Sequence, residues 1–340
     1  MSLEKKAKRF VFVVRPHNLD ADSCGNLTIA RLDSLYTCHN ICYKKGCAMF
    51  SIKKNKTPKN LTITARDVDF DLQQEMETNR YWHSDEPVTT HFFNALQSTF
   101  PEGERFFIDS ARDVQTKIGK DNLPLELQQH IETFIRQEAY HGRHHESWTK
   151  ALTSLGYGHM EAFSDELKNM RFWARKNIPA EYRLSMTAAS EHFTASMAHF
   201  FIYRRPDLLR GAAKPFQQLL LYHALEELEH KAVCYDLYQQ SKAGYSLRML
   251  GLAVSSIDIM KHVSERHIYL LKKDGLWNLS NRIKALNLIW GKKGIARQLI
   301  PYVLAYTKPN FHPWDTDERS MLEASFGDIL NSITPKKVSA

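Results

Sequence analysis

Two short motifs place a carboxylate and an imidazole three residues apart: Glu138-Ala-Tyr-His141 and Glu227-Leu-Glu-His230. On a helix, positions i and i+3 share a face, so each motif can offer both side chains to one cation. In a chain with 16 histidines about one such match is expected by chance. The motif alone therefore says little, and the spacing says more. Glu104 and Glu138 are 34 residues apart, Glu191 and Glu227 are 36 apart, and the gap between the two pairs is 53. Each of these glutamates falls about 12 to 14 residues from the turn that joins its helix to its partner's, with boundaries good to a few residues. In an antiparallel helical hairpin, such a pair meets at one depth.

The elements needed to hold them are readable from punctuation and periodicity. The first helix runs from near Pro101-Glu102 to Ile118, stopped by Gly119. The second starts at Pro124, a favoured first-turn residue, and continues to Leu155 before Gly156-Tyr-Gly158. A connecting segment over 160–176 carries its own amphipathic helix. The third helix spans Ala180 to Tyr203, and the fourth runs from Pro215 to Gln240. Further helices are expected over 245–273, 278–290 and 294–306. This predicts an all-α chain: a ferritin-like four-helix bundle with a long crossover between helices two and three and extra C-terminal helices. In that plan two helices supply one Glu each and two supply Glu-x-x-His.

Energetics support the grouping. Phe134, Ile135, Leu219, Leu220 and Val233 share those helices, so the faces should pack inward. Uncompensated carboxylates there cost several kcal/mol each. Four of them suit two cations of total charge +4 to +6. His223 extends the stripe on the fourth helix, since His223, Glu227 and His230 stand at i, i+4 and i+7. The expected metal ligands are Glu104, Glu138, His141, Glu191, His223, Glu227 and His230. Oxygen and imidazole donors without thiolate favour a pair of iron ions, with manganese the alternative. His145 is placed in the surrounding shell, and His144 and His192 off the seam. Asp109, Asp113 and Asp236 are candidates to orient the imidazoles.

Charge and cysteines narrow the rest. The net charge is +8, but residues 1–60 hold 12 Lys and Arg against 4 Asp and Glu, and the remainder balances. This does not point to a specific nucleic-acid partner. Residues 1–62 lack sustained periodicity and are assigned to a basic extension, 63–315 to the di-metal domain and 316–340 to a polar tail. Four of the five cysteines (Cys24, Cys38, Cys42, Cys47) fall in the extension without paired metal-site spacing; reduced thiols in a cytoplasmic protein are expected. The run from Met249 to Ile257 is too short for a membrane span. Homo-oligomerisation is left open.

Two resemblances bear on function. The seven-ligand pattern, with His223 added to the usual six, resembles the di-iron N-oxygenases that oxidise aryl amines. Several stretches resemble the bacterial family labelled "predicted metal-dependent hydrolase", over about residues 64 to 315. They are Tyr81-Trp-His83, Phe92-Phe-Asn-Ala-Leu-Gln-Ser-Thr-Phe-Pro-Glu-Gly-Glu-Arg-Phe-Phe-Ile-Asp-Ser110, Gln137-Glu-Ala-Tyr-His141, Ser190-Glu-His192, His223-Ala-Leu-Glu-Glu-Leu-Glu-His-Lys-Ala232 and Phe311-His-Pro-Trp314. The second resemblance implies a metal-bound, cytoplasmic enzyme. Dioxygen-dependent oxidation of a small organic substrate is the favoured reaction. Hydrolysis by metal-bound hydroxide and a non-catalytic iron-binding role are the alternatives.

Overall fold

Proline opens each of the four helices that carry the glutamates: Pro101 and Pro215 in the first turn, Pro124 and Pro179 at the N-cap. A residue with fixed φ and no N–H fits where the helix leaves its first donors unpaired. The computed structural model describes residues 57–319. Most of the expected basic extension and of the polar tail lies outside those residues, as do Cys24, Cys38, Cys42 and Cys47.

Among the described residues there is no strand; His83 and Ala212 form an isolated antiparallel bridge. An irregular lead-in is followed by α1 (Leu72–Thr78) and α2 (Pro87–Gln97). Then come α3 (Phe100–Ile118), α4 (Leu125–Ser154), α5 (His159–Asn177) and α6 (Ala180–His199). After α7 (Pro206–Arg210), α8 (Lys214–His230) and α9 (Val233–Gln240) complete the central set. The chain continues through α10 (Tyr245–Lys273), α11 (Leu279–Trp290) and α12 (Ile295–Tyr306).

The packing follows the expected all-α bundle. Helix α3 lies along α4, α6 lies along α8, and α3 also packs on α6 while α4 packs on α8 and α9. The crossover helix α5 covers α3 and α4, and α10 runs beside α6 and α2. Gly251 makes that last approach close: a Cβ there would stand 2.6 Å from the carbonyl carbon of Ser185.

Two helix ends differ from expectation. The third helix was expected to reach Tyr203, but regular α-structure stops at His199 and Phe200–Arg204 form a wider π-type turn. The fourth was expected to be continuous to Gln240, but it breaks at Lys231-Ala232. There Lys231 Nζ donates to Thr316 O and to Glu318, and its charge lies 4.2 Å from the centre of the Trp314 ring. Periodicity could not reveal this, because the partners lie more than eighty residues further along the chain.

Candidate metal centre

All seven residues expected to bind metal are buried, and they converge. Glu104 comes from α3, Glu138 and His141 from α4, Glu191 from α6, and His223, Glu227 and His230 from α8. At one end, His230 Nε2 stands 3.2 Å from Glu191, 3.4 Å from Glu138 and 3.5 Å from Glu227. At the other, His141 Nδ1 is 3.4 Å from Glu138 and 3.9 Å from Glu227, and His223 Nε2 is 2.7 Å from Glu227 and 3.7 Å from Glu104. Glu138 and Glu227 therefore face both ends, while Glu191 and Glu104 each serve one.

The outward nitrogens of two imidazoles are tied down. His141 Nε2 donates to Glu226 at 3.0 Å, and His230 Nδ1 donates to Gln137 Oε1 at 3.0 Å. Their other nitrogens, His141 Nδ1 and His230 Nε2, point inward. Arg66 from the lead-in bonds Glu226 at 3.0 Å and Glu229 at 3.0 and 3.1 Å. Gln137 Nε2 donates to Glu229 and to Thr64 O, which closes the shell. Outer partners of this kind fix ring orientation and ligand basicity.

This shell corrects the expectation for the aspartates. Asp109 pairs with Arg171 and Arg175, Asp113 with Arg175 and Arg183, and Asp236 with His312. On α3, Asp109 is five residues past Glu104, which turns it away from the centre and towards α5. The orienting groups Glu226, Glu229, Gln137 and Arg66 were missed. Glu226 and Glu229 stood in the quoted motif, three residues apart on a face beside the ligands. Arg66 lies in an irregular segment with no pattern to read.

Three other histidines find their places. His144 and His192 are buried packing residues whose Nε2 atoms bond Val68 O and Tyr302 O. His145 lies against the cluster: its Nε2 shares a 3.0 Å hydrogen bond with His223 Nδ1 and stands 3.4 Å from Glu104. The rings of His145 and His223 both lean on the edge of Phe100. Gly142 lets Glu104 approach α4, for a Cβ there would stand 3.3 Å from Glu104 Oε2.

Burial and close charges shift the acidity of the cluster. Burial first, then the carboxylates of Glu138, Glu227 and Glu191, push Glu104 well above its ordinary range. Burial pushes Glu138 and Glu191 up to about 8, although His230 pulls both down. Burial works against Glu227 too, but His230 and His223 hold it well below the usual carboxylate range. His230 is driven the opposite way, well above its ordinary value, because Glu191 and Glu227 outweigh its burial.

The donor set fits metal. Both carboxylate oxygens of Glu104, Glu138 and Glu191, with His141 Nδ1 and His230 Nε2, are buried without a well-formed hydrogen bond. Native interiors rarely leave so many polar atoms unsatisfied at one place. Among the described residues four groups of three bring their donor atoms together: Glu138, Glu191 and His230 at one end, and at the other Glu104, Glu138 and His141, then His141, His223 and Glu227, then Glu104, His145 and His223. The cluster can hold two cations.

Residues 64–317 match a family model described as "Predicted metal-dependent hydrolase", the family the sequence resembles. Comparison with curated proteins and with solved structures gives no match.

Proposed function

Since the chain belongs to the predicted metal-dependent hydrolase family, we propose that it is an enzyme whose ferritin-like bundle holds a di-iron centre and oxidises a small organic substrate with dioxygen. The convergence of four buried, mostly unpartnered carboxylates from four helices carries this reading. Glu191 and His230 would hold one ion; Glu104, His141 and His223 would hold the other; Glu138 and Glu227 would serve both.

When bound, a pair of iron ions supplies the electrons that reduce dioxygen and the oxidising power the substrate meets. The chain's own residues set the conditions. Glu138 and Glu227, which face both ends of the cluster, would be the carboxylates that balance the charge of both ions. Glu226 and Gln137 hold the imidazoles in one tautomer, and Arg66 balances the charge of Glu226 and Glu229. Phe100, Phe134 and Tyr222 pack edge-on against His223, His230 and His141, walls that exclude water and strengthen each electrostatic contact.

The family description favours a second reading, in which the same pair of ions activates water for hydrolysis. One experiment separates the two. The protein is loaded with ferrous iron without oxygen, its metal is counted, and oxygen uptake is followed on admitting air. Stoichiometric uptake near two irons per chain supports oxidation. No uptake, with ester hydrolysis restored by zinc or manganese, supports hydrolysis. Uptake of many irons per chain would instead indicate storage.

A further inference from the structure

The α11–α12 pair presents an apolar stripe to solvent. On α11, Leu279, Ile283, Leu286 and Trp290 recur at i, i+4, i+7 and i+11, one continuous face. Leu279 is 69% exposed and Leu286 62%. On α12, Ile300 and Leu304 continue it at i and i+4, with Leu304 60% exposed. The opposite sides are spoken for: Ala285, Leu288, Ile289, Ile295 and Leu299 are buried or packed on the cores beneath. These helices are therefore amphipathic in both senses, with one apolar side inward and a second outward.

Charge tells what the outer side fits. From Gly275 to Trp314 there is no Asp or Glu, but six Lys and Arg. Lys292 and Lys293 stand at the tip between the helices, with one residue between them and Trp290. Arg282 flanks the α11 stripe, and Arg297 sits three residues before Ile300 on the same face of α12. Glu86, 3.7 Å from Lys284, is an acidic neighbour at the inner edge, but large apolar side chains with Trp at the edge and a basic excess are the composition of helices that lie in a lipid headgroup layer. A second copy is disfavoured, because two such faces would oppose like charges. The N-terminal stretch is disfavoured for the same reason, being itself basic. No helix among the described residues is long and apolar enough to cross a membrane.

We propose that the outer face of α11 and α12 docks the protein on anionic lipid bilayers, with Leu279, Ile283, Leu286, Trp290, Ile300 and Leu304 entering the interface and Lys292, Lys293 and Arg297 meeting the headgroups. The attachment is peripheral and reversible, and it weakens as salt rises.

The test uses the full chain and vesicles of phosphatidylcholine, alone or mixed with phosphatidylglycerol. Cosedimentation is expected with the mixed vesicles and not with phosphatidylcholine alone. Lys292→Glu with Lys293→Glu, and separately Leu286→Ser with Trp290→Ser, should each weaken it by roughly tenfold or more. Melting curves check that these exposed substitutions leave the fold intact, and gel filtration reports self-association. The proposal is overturned if the chain does not sediment with mixed vesicles, or if both double variants sediment like the parent. It is equally overturned if the apolar variant turns a dimer into a monomer, for the face would then belong to a second copy.

Discussion

Glu138 Oε1 on α4 and His230 Nε2 on α8 face each other at 3.4 Å, and neither atom has a well-formed hydrogen bond. The same Glu138 oxygen is 3.4 Å from His141 Nδ1 on its own helix. One carboxylate thus stands between the imidazoles of the two Glu-x-x-His motifs. That position is costly without a cation and useful with two.

Removing this carboxylate should therefore separate stability from binding. Without metal, Glu138→Gln removes the cost of burying this carboxyl group beside its neighbours and should melt no lower than the parent. With metal, it should bind at least one ion fewer and lose much of the metal-induced rise in melting temperature. Elemental analysis and paired melting curves check both halves. Two ions retained by both Glu138→Ala and Glu227→Ala would reject the site.

His145 tests a different role. Its hydrogen bond to His223 orients that ring, so His145→Phe should weaken one ion by about 10- to 100-fold, as loss of an orienting partner does. Stoichiometry at saturating metal should remain two. A drop to one would make His145 itself a ligand, and unchanged affinity would make it a packing residue.

Two glycines should respond in opposite ways to the same added methyl. Gly142→Ala gains helix propensity of about 1 kcal/mol, while its Cβ presses on Glu104 Oε2 from 3.3 Å. The metal-free variant should be at least as stable as the parent, with lower metal affinity. Gly251→Ala instead drives a Cβ to 2.6 Å from the Ser185 backbone, where α6 and α10 cannot separate locally. It should lose about 1 to 3 kcal/mol without altering the metal count of folded protein. Denaturant melts and metal titrations distinguish the pair.

Acid should weaken the fold through a histidine of α10 that is not part of the candidate metal cluster. His267 Nε2 donates to Val88 O at 3.0 Å, and burial pulls its pKa down to about 4 from 6.5. The unfolded chain takes up this proton near 6.5 and the folded chain only near 4. The stabilising contribution is full above about 6.5 and is lost as pH falls towards 4, reaching roughly 3 kcal/mol. His267→Gln, which keeps a donor but cannot titrate, should flatten the fall in melting temperature between pH 7 and 5. An unchanged slope would show that other groups govern it.

The sequence by itself determined the helices and the seven residues that meet. Proline and glycine mark the bundle helices to within a residue or two at most ends, because a missing N–H and a left-handed φ act locally. Glu104, Glu138, Glu191 and Glu227 could be paired because helix rise is constant, so equal counts from a turn mean equal depth. Tertiary structure decided what local rules do not reach. Lys231, where the helix breaks, reaches Thr316 and Glu318 far along the chain, and the orienting shell includes Arg66 from an unpatterned lead-in. His145 shows the limit within one helix: facing could be counted from its position, but its 3.0 Å approach to His223 depends on how closely α4 and α8 pack. Helix period is set by the backbone alone, whereas interhelical distance is set by the side chains of both partners.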